Sequence, residues 1–255
     1  MFKEYVIVVT GAASGIGLAT SRLFHEAGAT VIGVDVDKKS LDAVTGDLGE
    51  RFVPCQCDVT QEDQIVRLAD FVESKYGKID TLVNNAGTGN LINLETMQES
   101  DFYWIYDVNL KGPMLFTKHF IALLKKSSNP SILNVSSSAA REVLTGNHFL
   151  YSTSKAALLS FTQHLVRNFP GIRANSILPG WVDTPIYSRA GLDDETIRAI
   201  YECALQKIPS GRIGKPEDIA HCILFLSSEK ATYINGAAVD INGGTLCDAD
   251  WGFLF

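Results

Sequence analysis

The sequence predicts an α/β protein in which a doubly wound, seven-stranded parallel sheet carries helices on both faces. Two observations predict it. Short β-branched runs alternate with longer stretches of helical period along the chain. The runs are also continuously apolar rather than alternating, as strands buried on both faces must be. Parallel neighbours joined by helices require right-handed crossovers, which gives the doubly wound arrangement.

The elements follow in order. Tyr5–Thr10 reads as a buried strand, followed by a glycine turn and a helix to about Ala27. Thr30–Val34 is a second strand, Lys39–Leu48 a second helix, and Phe52–Cys57 a third strand. In the next helix Ile65, Leu68, Ala69 and Val72 fall at i, i+3, i+4 and i+7, one face of a helix. Thr81–Asn84 is the fourth strand, Asp101–Lys126 one long helix, and Ser131–Ser136 the fifth strand. A helix over Tyr151–Asn168 leads to a sixth strand, Arg173–Leu178. Pro216–Leu226 is a helix with proline in its first turn, where the missing N–H costs nothing, and Ala237–Ile241 is the seventh strand. No composition break divides the 255 residues, so they are read as one domain.

Composition excludes several classes of function. With 46% hydrophobic and 20% charged residues, the chain can bury a large core and is not disordered. A net charge of −7 gives no electrostatic reason to bind nucleic acid or an anionic membrane. The apolar run Tyr5–Val9 is too short for a secretory signal, and no stretch approaches the ~18 apolar residues of a membrane span. Five cysteines are an odd count at irregular spacing. Cys55 and Cys57 share a strand face, but no second ligand pair follows, so they read as buried thiols and no metal site is expected. A reducing, cytoplasmic setting fits this pattern.

The first candidate site is the turn Thr10-Gly11-Ala12-Ala13-Ser14-Gly15-Ile16-Gly17, between the first strand and first helix. Glycines there permit a tight turn and close approach of backbone to phosphate. The helix N-terminus adds free N–H groups for a pyrophosphate, so Gly11, Ser14, Gly15, Ile16 and Gly17 are expected to bind a dinucleotide. Asp35 follows the second strand, where a carboxylate accepts from the adenosine ribose hydroxyls and repels a 2′-phosphate. Ala12, Ala13, Ser14 and Val36 supply no compensating cation, so NAD is favoured over NADP. Asp58-Val59 ends the third strand within reach of an adenine, although Asp58 equally suits a helix cap.

The second candidate site is Tyr151-Ser-Thr-Ser-Lys155, which puts a phenol and an ammonium on one helix face. A phenol of reference pKa ~10 is a poor acid or base at neutral pH. A neighbouring positive charge favours the phenolate and lowers that value toward a working range.

Together these landmarks resemble the short-chain dehydrogenase/reductase family in its single-domain, Rossmann-type form. The resemblance runs from Thr10 to Gly244 through the glycine turn, Asp35, Asp58, Asn84-Asn85-Ala86-Gly87, Asn109, Asn134-Val-Ser-Ser, Tyr151-x-x-x-Lys155, Pro179-Gly180 and Thr184-Pro185. It implies that Tyr151 is the general acid/base and that Lys155 lowers its pKa and binds the nicotinamide ribose. It also implies that Asn109 positions a water of a proton relay and that a serine polarises the substrate carbonyl. Asn-Val-Ser-Ser points to Ser137, whereas the usual spacing before tyrosine points to Ser138. An extra residue in the loop 141–150 reconciles the two and favours Ser137. Asn85, Ala86 and Gly87 would line the adenosine ribose side, and Pro179, Gly180, Val182 and Thr184 the nicotinamide side. The turn Asn168–Arg173 is shorter than is usual in the family.

By the same resemblance, Ile186–Ile208 would form one or two lid helices over the substrate, with Tyr187, Leu192 and Tyr201. The loops Arg141–Leu150 and Asn90–Leu94 would supply further walls, including Val143, Leu144, Leu94 and a lone His148 that is solvated or assists catalysis. The expected substrate is a secondary alcohol or ketone of modest size, worked mainly in the oxidative direction. Apolar residues around more than one face of the helices 101–126 and 151–168 predict a homodimer or homotetramer. The apolar tail Trp251–Phe255 is expected to join that contact. The alternatives are an NADPH-dependent ketoreductase of the 3-oxoacyl type and a non-catalytic NAD-binding scaffold.

Overall fold

In the computed structural model the described residues are 2–89, 91–143 and 146–247; the tail Trp251–Phe255, with Asn90 and Leu144, lies outside them. Seven strands form one parallel sheet: β1 (Val6–Thr10), β2 (Thr30–Asp35), β3 (Phe52–Gln56), β4 (Thr81–Asn84), β5 (Ser131–Val135), β6 (Arg173–Pro179) and β7 (Ala238–Ile241). Their order is β3-β2-β1-β4-β5-β6-β7, and every pair is parallel. The order reverses between β1 and β4. There the crossovers before and after depart in opposite directions, opening a crevice at the carboxyl ends of the strands.

Alternate residues of each strand feed two cores. Ile7 and Val9 of β1, with Leu133 and Val135 of β5, pack with Phe24, Leu41, Ile219 and Ile223. These come from α1 (Gly15–Glu26), α2 (Lys38–Leu48) and α9 (Pro216–Ser227). Val6, Val8 and Ile132 pack on the other face with Ile65, Leu68, Val72, Phe116, Phe120 and Leu165. Those come from α3 (Glu62–Tyr76), α5 (Gly112–Leu124) and α6 (Phe149–Asn168). Pro54 has no N–H to donate, and it sits where that is tolerated, on the edge strand β3.

The long helix expected over Asp101–Lys126 is interrupted. α4 (Glu99–Tyr106) passes into a π-helical segment, Asp107–Lys111, before α5 begins. The Gly112 N–H reaches back five residues to the Asp107 carbonyl. Proline at 113 has no N–H, so an α-helix could not satisfy the Asn109 carbonyl, and the widened turn falls around Asn109. Two short helices, α7 (Ile186–Arg189) and α8 (Asp194–Leu205), lie in the segment expected to form the lid.

A buried polar chain ties the sheet to α6. Asn84 Nδ2 donates to Asn134 Oδ1 at 2.8 Å, and Asn134 Nδ2 donates to Thr162 Oγ1 at 2.9 Å. The Thr162 and Ser176 hydroxyls lie 2.8 Å apart. Such a network fixes the position of the helix on the strands more tightly than apolar contact does. Cys57 is buried and Cys55 half-buried, and desolvation pushes both thiols up to about 11. Cys203 and Cys247 are exposed.

Candidate active site

The turn after β1 is shaped by what its glycines lack. Gly11 and Gly15 take positive φ values of 66° and 50°, a region in which side chains are strained. A Cβ on Gly17 would lie 2.0 Å from the Gly11 carbonyl oxygen, so α1 can approach the turn only with glycine there. Asn85 braces the turn through Nδ2, which donates to the Thr10 carbonyl at 2.9 Å and the Gly11 carbonyl at 3.3 Å. The Ser14 hydroxyl does not cap α1, which leaves the first-turn N–H groups available to an anion.

Asp35 is buried at the end of β2, and its carboxylate accepts from Ala13 N–H at 3.0 Å and Asp37 N–H at 3.1 Å. It therefore locks the glycine turn to β2 and leaves little latitude for the carboxylate to swing. Asp58 Oδ1 accepts from both the Thr60 N–H and hydroxyl, at 2.9 and 2.8 Å, closing a turn ahead of α3, whose N-cap is Gln61 and not Asp58. Val59 belongs to the core beneath Gly112. Neither lines the cleft.

The cleft runs along the carboxyl ends of β1, β4, β5 and β6. It gathers Gly11, Ser14, Gly15 and Ile16 with Asn85, Ala86 and Gly87. It also gathers Ser137, Tyr151 and Lys155 with Pro179, Gly180, Val182 and Thr184. Thr184 comes close enough to the turn that a Cβ on Gly15 would meet it at 3.2 Å. Gly180 is required for another reason: a Cβ there would lie 2.7 Å from the Asn242 backbone.

At the centre the Ser137 hydroxyl faces the Tyr151 phenol across the cleft, and Ser137 Oγ accepts from Ala139 N–H at 3.1 Å. Ser138 lines the cleft beside it. Burial holds the Tyr151 pKa above its ordinary value, and the Ser137 hydroxyl opposes this only in part. The expected lowering by Lys155 is not the net direction in this state. Lys155 Nζ lies 5.7 Å from the Tyr151 ring centroid and donates to the Val135 carbonyl at 2.9 Å. Its own pKa is pulled down to about 8, because burial disfavours the ammonium. Asn109, fully buried in the π segment, accepts from Thr88 N–H and donates to the Thr88 carbonyl, both at 2.9 Å. It donates also to Ser154 Oγ at 3.1 Å, and so bridges the β4 loop to α6. A Cβ on Gly87 would lie 3.2 Å from Lys155 Nζ and 3.5 Å from Asn109 Oδ1. The three residues converge.

In the far wall Trp181, which sequence reasoning did not place, joins Tyr187, Leu192 and His148, which it did. Trp181 stacks on Tyr187 with centroids 6.2 Å apart, and Tyr187 meets Tyr201 edge-on at 6.0 Å. Burial and the neighbouring Tyr151 hold the Tyr187 phenol far above its ordinary value. Arg189 also lines the cleft; the Asp37 carboxyl beyond the glycine turn is held low chiefly by its hydrogen bonds from Ser40, with Arg189 the smallest contribution. His148 lies in the wall as well, 6.2 Å from Tyr151 between ring centroids. Val143 and Leu94, expected as walls, are 87% and 68% exposed and stand away from the cleft. A loop has no periodicity from which the facing of a side chain can be read.

A glycine turn at a strand-order reversal, joined to a serine, tyrosine and lysine at one cleft, defines a dinucleotide-dependent oxidoreductase. Residues 11–245 match the family model described as Enoyl-(Acyl carrier protein) reductase. The chain is 40% identical to the 3-oxoacyl-[acyl-carrier-protein] reductase of Thermotoga maritima over 246 residues, covering 94% of this chain and 96% of that one. It is 34% identical to an NAD-dependent glycerol dehydrogenase of Listeria innocua over 245 residues, 94% and 93% of the two chains. A short-chain dehydrogenase/reductase from Brucella melitensis, described as a glucose/ribitol dehydrogenase, superimposes with a TM-score of 0.89 at 31% identity. That match covers 96% of this chain and 97% of the other. The chain belongs to the short-chain dehydrogenase/reductase family. It is an oxidoreductase acting on CH–OH groups or the matching carbonyls, with a nicotinamide cofactor.

Proposed function

We propose that residues 1–255 form one NAD-dependent dehydrogenase domain that oxidises a secondary alcohol, with Tyr151 as general base and general acid in the reverse direction. The observation that carries this reading is the junction of Tyr151, Ser137 and Lys155 beside the glycine turn. The bound cofactor supplies the hydride acceptor. Ser137 orients the substrate oxygen, and Tyr151 takes its hydroxyl proton as the carbinol hydride leaves. Lys155, held at about 8 by burial, is poised to pass charge to the phenol near neutral pH. Asn109 fixes the loop against which Lys155 packs and would position a water that relays protons to the lysine.

For the cofactor, Gly11, Ser14, Gly15, Ile16 and Gly17 would hold the pyrophosphate against α1. Asn85, Ala86 and Gly87 would border the ribose, and Pro179, Gly180, Val182 and Thr184 the carboxamide. Asp35 would take the adenosine ribose hydroxyls, and its fixed, buried carboxylate supports NAD over NADP. Asp58 and Val59 would contribute only through the position of the β3 end, given their own bonds. Arg189 is the observation that favours the second reading, an NADPH-dependent ketoreductase, because it places a cation in the cleft lining.

A homodimer or homotetramer through α4–α5 and α6 is supported by Tyr103, Trp104 and Met114, which stand 54, 42 and 40% exposed on the outer face. Five free cysteines support a reducing cytoplasm. Among the described residues no helix is long and apolar enough to cross a membrane. The test is titration with NAD and NADP, followed by a panel of secondary alcohols and ketones read at the NADH absorbance. NAD-linked alcohol oxidation is the expected result. Preference for NADP with ketone reduction would select the second reading.

A further inference from the structure

Among the described residues that line the cleft there is no aspartate or glutamate, while Lys155 and Arg189 both line it. Lys155 is committed to the Val135 carbonyl at 2.9 Å. Arg189 is exposed and free. The arginines that pair with carboxylates among the described residues are Arg22, Arg67, Arg141 and Arg212, and Arg189 is not one of them. A guanidinium is a planar fork of donors suited to phosphate or carboxylate. On the wall of a cleft without acids it favours an anionic ligand.

The path of α7 decides which anion. Thr184 and Pro185 pack on the glycine turn, since a Cβ on Gly15 would lie 3.2 Å from Thr184 and 3.6 Å from Pro185. The Arg189 N–H donates to the Pro185 carbonyl at 2.9 Å and closes one helical turn. Residues four apart share a helix face, so Arg189 stands above Pro185 on the side of the glycine turn. Tyr187 lies two residues from each and so points the other way, where it stacks on Trp181. The Asp37 carboxyl, held low chiefly by its bonds from Ser40, feels Arg189 as its smallest influence, which agrees with that side. Beneath Arg189 the first-turn N–H groups of α1 are left uncapped by Ser14. Backbone donors below and a guanidinium above enclose the place where a pyrophosphate would lie. A 2′-phosphate would lie elsewhere, beside Asp35 at the end of β2.

We infer that Arg189 is a cofactor-binding residue, a clasp on α7 that holds the pyrophosphate common to NAD and NADP against the glycine turn. This rests on the pyrophosphate lying at α1, as proposed above, and not on which alcohol is oxidised. It gives the cation that favours the second reading a use with either cofactor.

The experiment measures dissociation constants for NAD, NADP and ADP-ribose by calorimetry, at low and high salt, on the parent, Arg189→Leu and Arg189→Lys. ADP-ribose carries the pyrophosphate without the nicotinamide. One hydrogen bond between a guanidinium and a phosphate corresponds to about a tenfold change in affinity. The expected result is that Arg189→Leu weakens whichever of the three the parent binds by about that factor, ADP-ribose included, and flattens the salt dependence. Arg189→Lys, which keeps the charge but not the fork, should recover part of the loss. Unchanged affinity for ADP-ribose and NAD in Arg189→Leu would overturn the inference. A loss confined to NADP would overturn it in favour of the 2′-phosphate. A loss with both cofactors but not with ADP-ribose would overturn it in favour of the nicotinamide end. A parent that binds none of the three would sink the reading of the cleft as a dinucleotide site, and this inference with it.

Discussion

At the scale of single residues, the site works by desolvation as much as by charge. Lys155 is 3% exposed, and burial lowers its pKa from 10.5 to about 8. The sign of the resulting stability effect follows from proton uptake. Below about pH 8 the lysine is charged whether folded or unfolded, and its desolvation penalty is fully present. Between about 8 and 10.5 the unfolded chain holds the extra proton, so the penalty fades as pH rises. Lys155→Met removes the penalty at every pH. Its stability advantage over the parent should therefore shrink from pH 7 to pH 10.5, by up to roughly 3 kcal/mol at ~1.4 kcal/mol per unit. Urea unfolding of both proteins at the two pH values measures this, and a constant gap would mean that Lys155 titrates normally. The Tyr–Lys pairing is a weak signal by spacing alone and was legible only beside the glycine turn, Asn84-Asn85-Ala86-Gly87 and the upstream serines. The raised pKa of Tyr151 was not, because the opposing burial comes from the surrounding walls and not from the helix that carries both residues.

At the scale of elements, the glycine turn is the feature the sequence showed most completely, since each glycine answers to a local steric need. Gly17→Ala places a methyl group 2.0 Å from the Gly11 oxygen, an overlap that only movement of the turn relieves. The expected cost is about 3 kcal/mol, seen as a lowered Tm, with cofactor affinity weakened at least about tenfold. Unaltered affinity and Tm would show that the turn can open freely. The π segment was missed although its signal was present. Pro113 stands four residues after Asn109, and an apolar pattern read over twenty-odd residues hid the one missing donor. The lid was foreseen as helical, but not the stack of Trp181 on Tyr187 or the reach of Arg189. Those depend on how α7 returns over the turn, which no local pattern encodes.

For the whole molecule, the strand order and the two-faced core follow from the run of apolar strands, and the structure reproduces the expected doubly wound sheet. Trp104 and Met114 lie on α4 and α5, beside an α6 whose Thr153 hydroxyl accepts from Tyr106 at 2.9 Å. Exposed apolar side chains of this kind support the proposed subunit contact. The double substitution Trp104→Glu with Met114→Glu should shift sedimentation toward the single chain and lower Tm by several degrees. The same sedimentation coefficient as the parent would place the subunit contact elsewhere.

In the proposed reaction Tyr151 is the group that exchanges the proton with substrate. Tyr151→Phe keeps the ring and its packing while removing the one oxygen that faces Ser137 in the cleft. Turnover of the best alcohol and NAD affinity, measured on the same preparation, therefore test it most directly. Turnover should fall by about 10²–10⁴-fold with NAD affinity held within about twofold. A variant that still turns over at a rate near that of the parent would contradict the assignment.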